Sequence, residues 1–321
     1  MTAALPADKC VYGPVPSRRL GRSLGVDLVP LKTCTYDCVY CQLGPTTDKT
    51  VRRQRWLEPA DVVARVRERL DSEPDVIALA GSGEPTLYDG IGEVIAGIKE
   101  LTDTPVVVIT NGSLLGQPDV QRDLAEADIV VPSLDAPDDA LFERVNRPAT
   151  GLGLAPVVDG MVAFRQQFAG QRWLEVMLLG GLTGMPEVVE RLAAIAKRIA
   201  PDRIQLNTAV RPPSEPSIHP VPPGQMASFA ASFTPMAEVI SRGAVSAEDL
   251  DADAEDVIAL LSRRPCTMED IASGLGIHHG EALKLVAPLT ESGAVATSLH
   301  ESRRFYTAAN PDTQRPTEEA P

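Results

Sequence analysis

Residues 24–41 read LGVDLVPLKTCTYDCVYC, a β-rich apolar run over 24–29 followed by a loop that carries Cys34, Cys38 and Cys41. Three thiols so close together can turn toward one metal centre from a single loop. A structural zinc site would need a fourth Cys or His. The nearest histidine is His219, and Cys10 stands 24 residues upstream of Cys34 without a paired spacing. A ferredoxin run has a different spacing and a fourth cysteine. Three ligands on a [4Fe–4S] cluster instead leave one iron without a protein ligand, and such an open position is where cofactor or substrate chemistry takes place. The five cysteines make a poor disulfide framework, which points to a reducing cytoplasm.

Outward from this loop, five more strand-like runs follow at 76–80, 106–110, 129–134, 174–179 and 204–207. Amphipathic segments separate them at 59–70, 91–101, 120–127, 156–168 and 185–199. In the first of these, Val62, Val63, Val66 and Leu70 fall close to one helix face. Continuous apolar strands alternating with helices predict parallel pairing with right-handed crossovers. The class is α/β, either doubly wound or an incomplete (βα) barrel, and both place chemistry at the carboxyl ends of the strands. Residues 211–224, RPPSEPSIHPVPPG, contain six prolines and form a stiff connector, with a helix expected over 225–240.

The CxxxCxxC loop after a first strand, with Tyr40 before the last cysteine, resembles the radical S-adenosylmethionine (SAM) superfamily over about residues 11–215. The resemblance implies a partial (βα)6 barrel with one [4Fe–4S] cluster on Cys34, Cys38 and Cys41. SAM would chelate the open iron and be cleaved reductively to methionine and a 5′-deoxyadenosyl radical, which takes a hydrogen atom from the substrate. Reduced flavodoxin or ferredoxin would supply the electron. Tyr40 would pack near the adenine. Gly81-Ser82-Gly83-Glu84-Pro85 resembles the family's GGEP motif, so that Gly81, Gly83 and Glu84 would hold the methionine amino group. Asn111, after the third strand, would reach the ribose or carboxylate. Ser133 and Asp135, after the fourth, would face ribose or methionine. Arg211, beyond the sixth strand, is either a partner of the SAM carboxylate or a solvated loop charge. As isolated residues, Asn111 and Asp135 are equally turn formers and helix caps.

Charge bears on the substrate. The formal net charge is −14, yet residues 1–60 sum to +4 and the remainder to −18. Arg18, Arg19 and Arg22, in a Pro- and Gly-rich loop before the first strand, form a candidate anion site near the barrel mouth. Arg52, Arg53 and Arg55 suit docking of an acidic electron donor. An acidic chain is an unfavourable general binder of nucleic acid, and no apolar run approaches the ~18–20 residues that cross a membrane. The hydrophobic share of 44% is that of a chain with a packed core.

The domains expected are a barrel over 1–215, a Pro-rich linker and helix over 216–250, a winged helix-turn-helix over 251–307 and a disordered tail over 308–321. YGPVPSRR, CTYDCVYC and the trailing winged helix together resemble a branch termed wyosine-synthase-like. That branch would imply tRNA modification, although only Cys10 is left for the second cluster of true wyosine synthases. Residues 251–307 sum to −4 and favour protein contact over DNA reading. Three readings follow: a radical enzyme acting on an unknown, anionic substrate, a tRNA-modifying enzyme, and an iron–sulfur regulator that binds DNA.

Overall fold

The computed structural model describes residues 10–17, 19–240 and 252–309. Arg18, residues 241–250 of the expected linker and residues 310–321 of the expected tail lie outside them. The chain divides into two compact units, Met1–Gly243 and Ala244–Pro321.

In the first unit, β1 (Val11–Ser17) turns back antiparallel onto β2 (Gly21–Val26). Two short strands, β3 (Thr33–Cys34) and β4 (Asp48–Lys49), pair parallel with each other at the two ends of the cysteine loop. The main sheet continues through β5 (Val76–Leu79), β6 (Val106–Thr110), β7 (Ile129–Pro132), β8 (Gln171–Leu178), β9 (Arg203–Thr208) and β10 (Glu238–Val239). Its order is β1-β2-β5-β6-β7-β8-β9-β10, and every pairing after β1 is parallel. All six expected strands are present.

Helices α1 (Pro59–Arg67), α2 (Ile91–Leu101), α3 (Pro118–Asp123), α4 (Asp139–Val145), α5 (Leu154–Gln167) and α6 (Pro186–Ile199) fill the crossovers. Helix α6 buries Val189, Leu192, Ala193, Ala196 and Ile199 along one stripe. Those residues join Leu174, Val176, Ile204 and Leu206 of β8 and β9 in the main core. Alternation along a strand then turns Glu175, Gln205 and Asn207 to the other, inner face. Arg19, in the β1–β2 turn, forms an ion pair with Glu175. Four strand spacings separate β2 from β8, ~19 Å in a flat sheet, too far for these two side chains to meet. The sheet is therefore curled, an open barrel with β1 and β10 as its edges among the described residues.

Two expectations are corrected. The segment before the first strand is itself a strand, disguised by Pro14 and Pro16 and by an irregular register between Tyr12 and Val15. Proline is tolerated there because β1 is an edge. The helix expected over 225–240 stops early. Helix α7 spans Pro223–Ala230, Pro235 bars its continuation, and the chain extends into β10.

The second unit contains α8 (Ala254–Leu261), α9 (Met268–Leu275), α10 (His279–Glu291) and an antiparallel hairpin of β11 (Val295–His300) and β12 (Arg303–Ala308). Capping boxes at Asp253 and Thr267 start the first two helices. Val257, Leu260, Ile271, Ala282, Val286 and Phe305 are buried. Among the described residues, no helix is long and apolar enough to cross a membrane.

Candidate functional site

Parallel strands bring six loops to one edge of the sheet, and the cysteine loop leaves from the carboxyl end of β2. It is tied at its base by the β3–β4 pairing and by Thr50 N–H donating to the Cys34 carbonyl (3.0 Å). Its middle is tied to the end of α4, where Asp37 and Val39 N–H groups reach the carbonyls of Asn146 and Val145 (both 2.9 Å). Cys34, Cys38 and Cys41 are free thiols, partly exposed, whereas Cys10 and Cys266 are buried in hydrophobic surroundings. Burial, with the Glu84 carboxylate as a lesser cause, pushes the Cys34 thiol up to about 12. Burial and Asp135 push Cys38 well above the ordinary thiol range. Thiolates at these positions need positive charge beside them.

Each of the three sulfurs has a side-chain N–H group beside it, from three different places in the chain. Asn111 Nδ2 lies 3.6 Å from Cys34 Sγ, Asn146 Nδ2 3.5 Å from Cys38 Sγ, and Lys32 Nζ 3.0 Å from Cys41 Sγ. Of these, only Asn111 was singled out in the sequence. Lys32 is adjacent enough to the motif to have been suspected, but Asn146 lies in RVNRP, which carries no recognisable pattern.

The loop after β5 packs directly beneath the cysteines. Gly83 lies against the Thr33 carbonyl, where a β-carbon would overlap the oxygen, and Glu84 N–H donates to that same carbonyl (3.1 Å). Gly81 has φ +148 beside the Asp27 carboxylate, which accepts from Ser82 N–H (3.1 Å) and from the Ser82 hydroxyl. The Glu84 carboxylate is almost wholly buried. It accepts from Thr86 N–H (3.1 Å), the Thr86 and Thr110 hydroxyls (2.6 Å each) and Asn111 N–H (2.7 Å). Burial raises its pKa while these four donors pull it back. Its carboxylate thus clamps the β5 loop to the end of β6.

Asn111 points toward the cysteine loop, donating to Thr35 Oγ1 (2.7 Å). Asp135 accepts from the Tyr40 hydroxyl (2.5 Å), Asn146 Nδ2 (2.8 Å) and Met177 N–H (3.1 Å). Burial raises its pKa to about 6. Tyr40 is thereby anchored through its hydroxyl, while its ring packs on a group comprising Val39, Val145, Leu179, Ala209 and Ile218. Ser133 lines a small cavity with Tyr36, Asp135, Phe142 and Asn146. Arg211 reaches Gln42, next to Cys41 (3.4 Å).

The structure scatters the arginines. Arg19 meets Glu175, which also accepts from Asn207 Nδ2 (2.9 Å). Arg22 donates to the Ser72 carbonyl (2.8 Å), just ahead of β5 and so at the amino edge, opposite the cysteines. The anion site expected from these residues at the mouth is therefore not assembled there by Arg19 and Arg22. Arg53 is an internal clip onto Thr86, Tyr88, Asp119 and Asp123, and Arg55 pairs with Asp89 and Glu93. Of the expected donor-docking trio, Arg52 alone is exposed without such a pair.

Residues 28–193 match the Radical SAM superfamily. The chain is 36% identical over 298 residues to a protein named GTPase Obg from Brachyspira hyodysenteriae, a match that takes in 91% of this chain and 44% of that protein. It is 31% identical over 311 residues to a UPF0026 protein of Methanocaldococcus jannaschii, covering 92% of this chain and 94% of the relative. A solved radical SAM methyltransferase from Sphaerobacter thermophilus shares the fold, with TM-score 0.50 at 18% identity over 69% of this chain and 67% of that one.

Proposed function

Because this chain belongs to the radical SAM superfamily, whose enzymes use a [4Fe–4S] cluster and SAM, we propose that Cys34, Cys38 and Cys41 hold one such cluster and that the enzyme uses it to activate a polar substrate. The observation that carries the proposal is the presentation of three free thiols on one tethered loop at the carboxyl edge of the sheet. Three separate thiolate donors suit a cluster, three of whose irons each take one cysteine sulfur. When bound, the cluster supplies the electron that cleaves SAM to methionine and a 5′-deoxyadenosyl radical.

The chain's own residues position and shield this chemistry. Asp135 fixes the Tyr40 hydroxyl and so the ring beside the last cysteine, where an adenine would stack. Glu84 holds the loop of Gly81 and Gly83 against the cysteine loop, leaving glycine main chain for close approach of a methionine group. Arg211 provides a cation for a carboxylate. On the inner face, Gln205 is buried and its side-chain oxygen has no hydrogen-bond partner. A substrate bearing an N–H or O–H group would satisfy it. Reduced flavodoxin or ferredoxin is the proposed electron donor, and the cytoplasm the proposed compartment. We read the second unit as a winged helix whose acidic balance suits contact with protein rather than duplex DNA.

Anaerobic reconstitution with iron and sulfide, then dithionite and SAM, tests the reading. The expected product is 5′-deoxyadenosine, lost when Cys34, Cys38 and Cys41 are all replaced by alanine. A colourless, iron-free protein after reconstitution would overturn it. Stimulation by tRNA would move the assignment to RNA modification.

A further inference from the structure

We propose that Lys32 sets the reduction potential of the cluster by holding a buried positive charge against the Cys41 sulfur. The inference rests on the reading of the three cysteines as cluster ligands. Lys32 is only 6% exposed, and its Nζ stands 3.0 Å from Cys41 Sγ. Among the described residues no carboxylate pairs with it, so the sulfur is its side-chain partner. A buried lysine ordinarily requires a counter-charge, and a thiolate at Cys41 provides one.

Backbone geometry argues that the side chain is wanted there. Thr33 N–H donates to the Pro30 carbonyl (3.0 Å), making Lys32 the third residue of a tight turn, at φ 60. Glycine or asparagine is favoured at such a position because a side chain crowds the backbone. The turn is nevertheless held on both sides. Lys32 N–H donates to the Ser82 carbonyl (2.7 Å), and its own carbonyl accepts from Thr47 and Asp48 N–H groups (3.2 and 3.1 Å). A strained conformation retained by its surroundings, with the side chain aimed at a ligand sulfur, is the pattern of a functional position.

The electrostatics give the sign. Reduction transfers one electron from a donor, which is oxidised by one electron, and the cluster with its thiolates gains one unit of negative charge. A neighbouring cation favours the more negative state, and charge and hydrogen bonds at the sulfurs are known levers on such potentials. Asn111 and Asn146 offer neutral N–H groups to the other two sulfurs at 3.6 and 3.5 Å, so Lys32 alone among the three brings a charge.

The test is a dithionite titration followed by electron paramagnetic resonance on reconstituted full-length protein, with iron and sulfide counted per chain. Lys32→Met removes the charge at similar length. Lys32→Gly removes it while relieving the turn, so that variant is expected to melt no lower than the parent. Both should take a full cluster with a more negative midpoint potential, and Lys32→Arg should return it toward the parent value. Unchanged potentials at full iron content would overturn the inference, as would weakened SAM binding alone. Variants that fold but cannot retain iron would also overturn it, making Lys32 an assembly residue. Failure of the parent protein to take up iron would instead sink the reading of the cysteines.

Discussion

Gly83 lies so tightly against the Thr33 carbonyl that a β-carbon would overlap its oxygen. The loop after β5 and the cysteine loop are thus in main-chain contact, with no side chain between them. Backbone cannot swing aside as a side-chain tip does. Gly83→Ala should cost about 1–3 kcal/mol through overpacking, read as a lower melting temperature. It should also reduce iron uptake several-fold. A variant that melts with the parent contradicts this packing.

Glu84 is a clamp, both of whose oxygens accept hydrogen bonds from the chain. Glu84→Gln keeps the shape but replaces one oxygen with a donor, leaving two N–H groups facing each other at Asn111 or crowding the hydroxyls. Urea unfolding of the metal-free protein should show a loss of about 1–3 kcal/mol. No loss would mean that the carboxylate is free to serve another partner.

Asp135 gives a pH signature. Its folded pKa of about 6 lies above the ordinary 3.8, so the native state holds this proton more tightly than the unfolded chain. That contribution to stability is fully present below pH 3.8 and is lost as pH rises through about 6. Unfolding free energies of the metal-free parent and Asp135→Asn, compared from pH 4 to 6.5, should therefore shift against the parent as pH rises. Parallel curves would refute the burial argument.

The Arg19–Glu175 pair spans the inside of the curled sheet. Arg19→Met should destabilise by about 1–3 kcal/mol, because it takes the cation from a carboxylate that is largely shielded from water. Adding Glu175→Gln should recover part of that loss in a double-mutant cycle. Additive losses would show that the two side chains act independently.

The six parallel strands were legible because their apolar runs are continuous, and the cysteine loop because its spacing is confined to eight residues. Strand β1 was hidden by prolines that an edge tolerates, and α4 by its brevity, although Asp138 caps it through Leu141 N–H (2.8 Å). In the site, Tyr40, Gly83, Glu84, Asn111 and Asp135 do assemble around the cysteine loop, but their roles were less visible than their presence. Glu84 and Asp135 bond to the protein itself, and no local pattern announces a hydrogen bond between residues as distant in the chain as Asn146 and Cys38. The arginines misled for a related reason. Sequence gives their charge but not the carboxylate that neutralises it.

Among the described residues the sheet ends at β1, a border that a passing strand could meet. Pro14 and Pro16 carry no N–H, and the irregular register at Tyr12 and Val15 skews the ladder, so that border gives a newcomer few rungs to grip. Copies of this chain should accordingly resist zipping into ribbons through β1, even though the curl is open among the described residues.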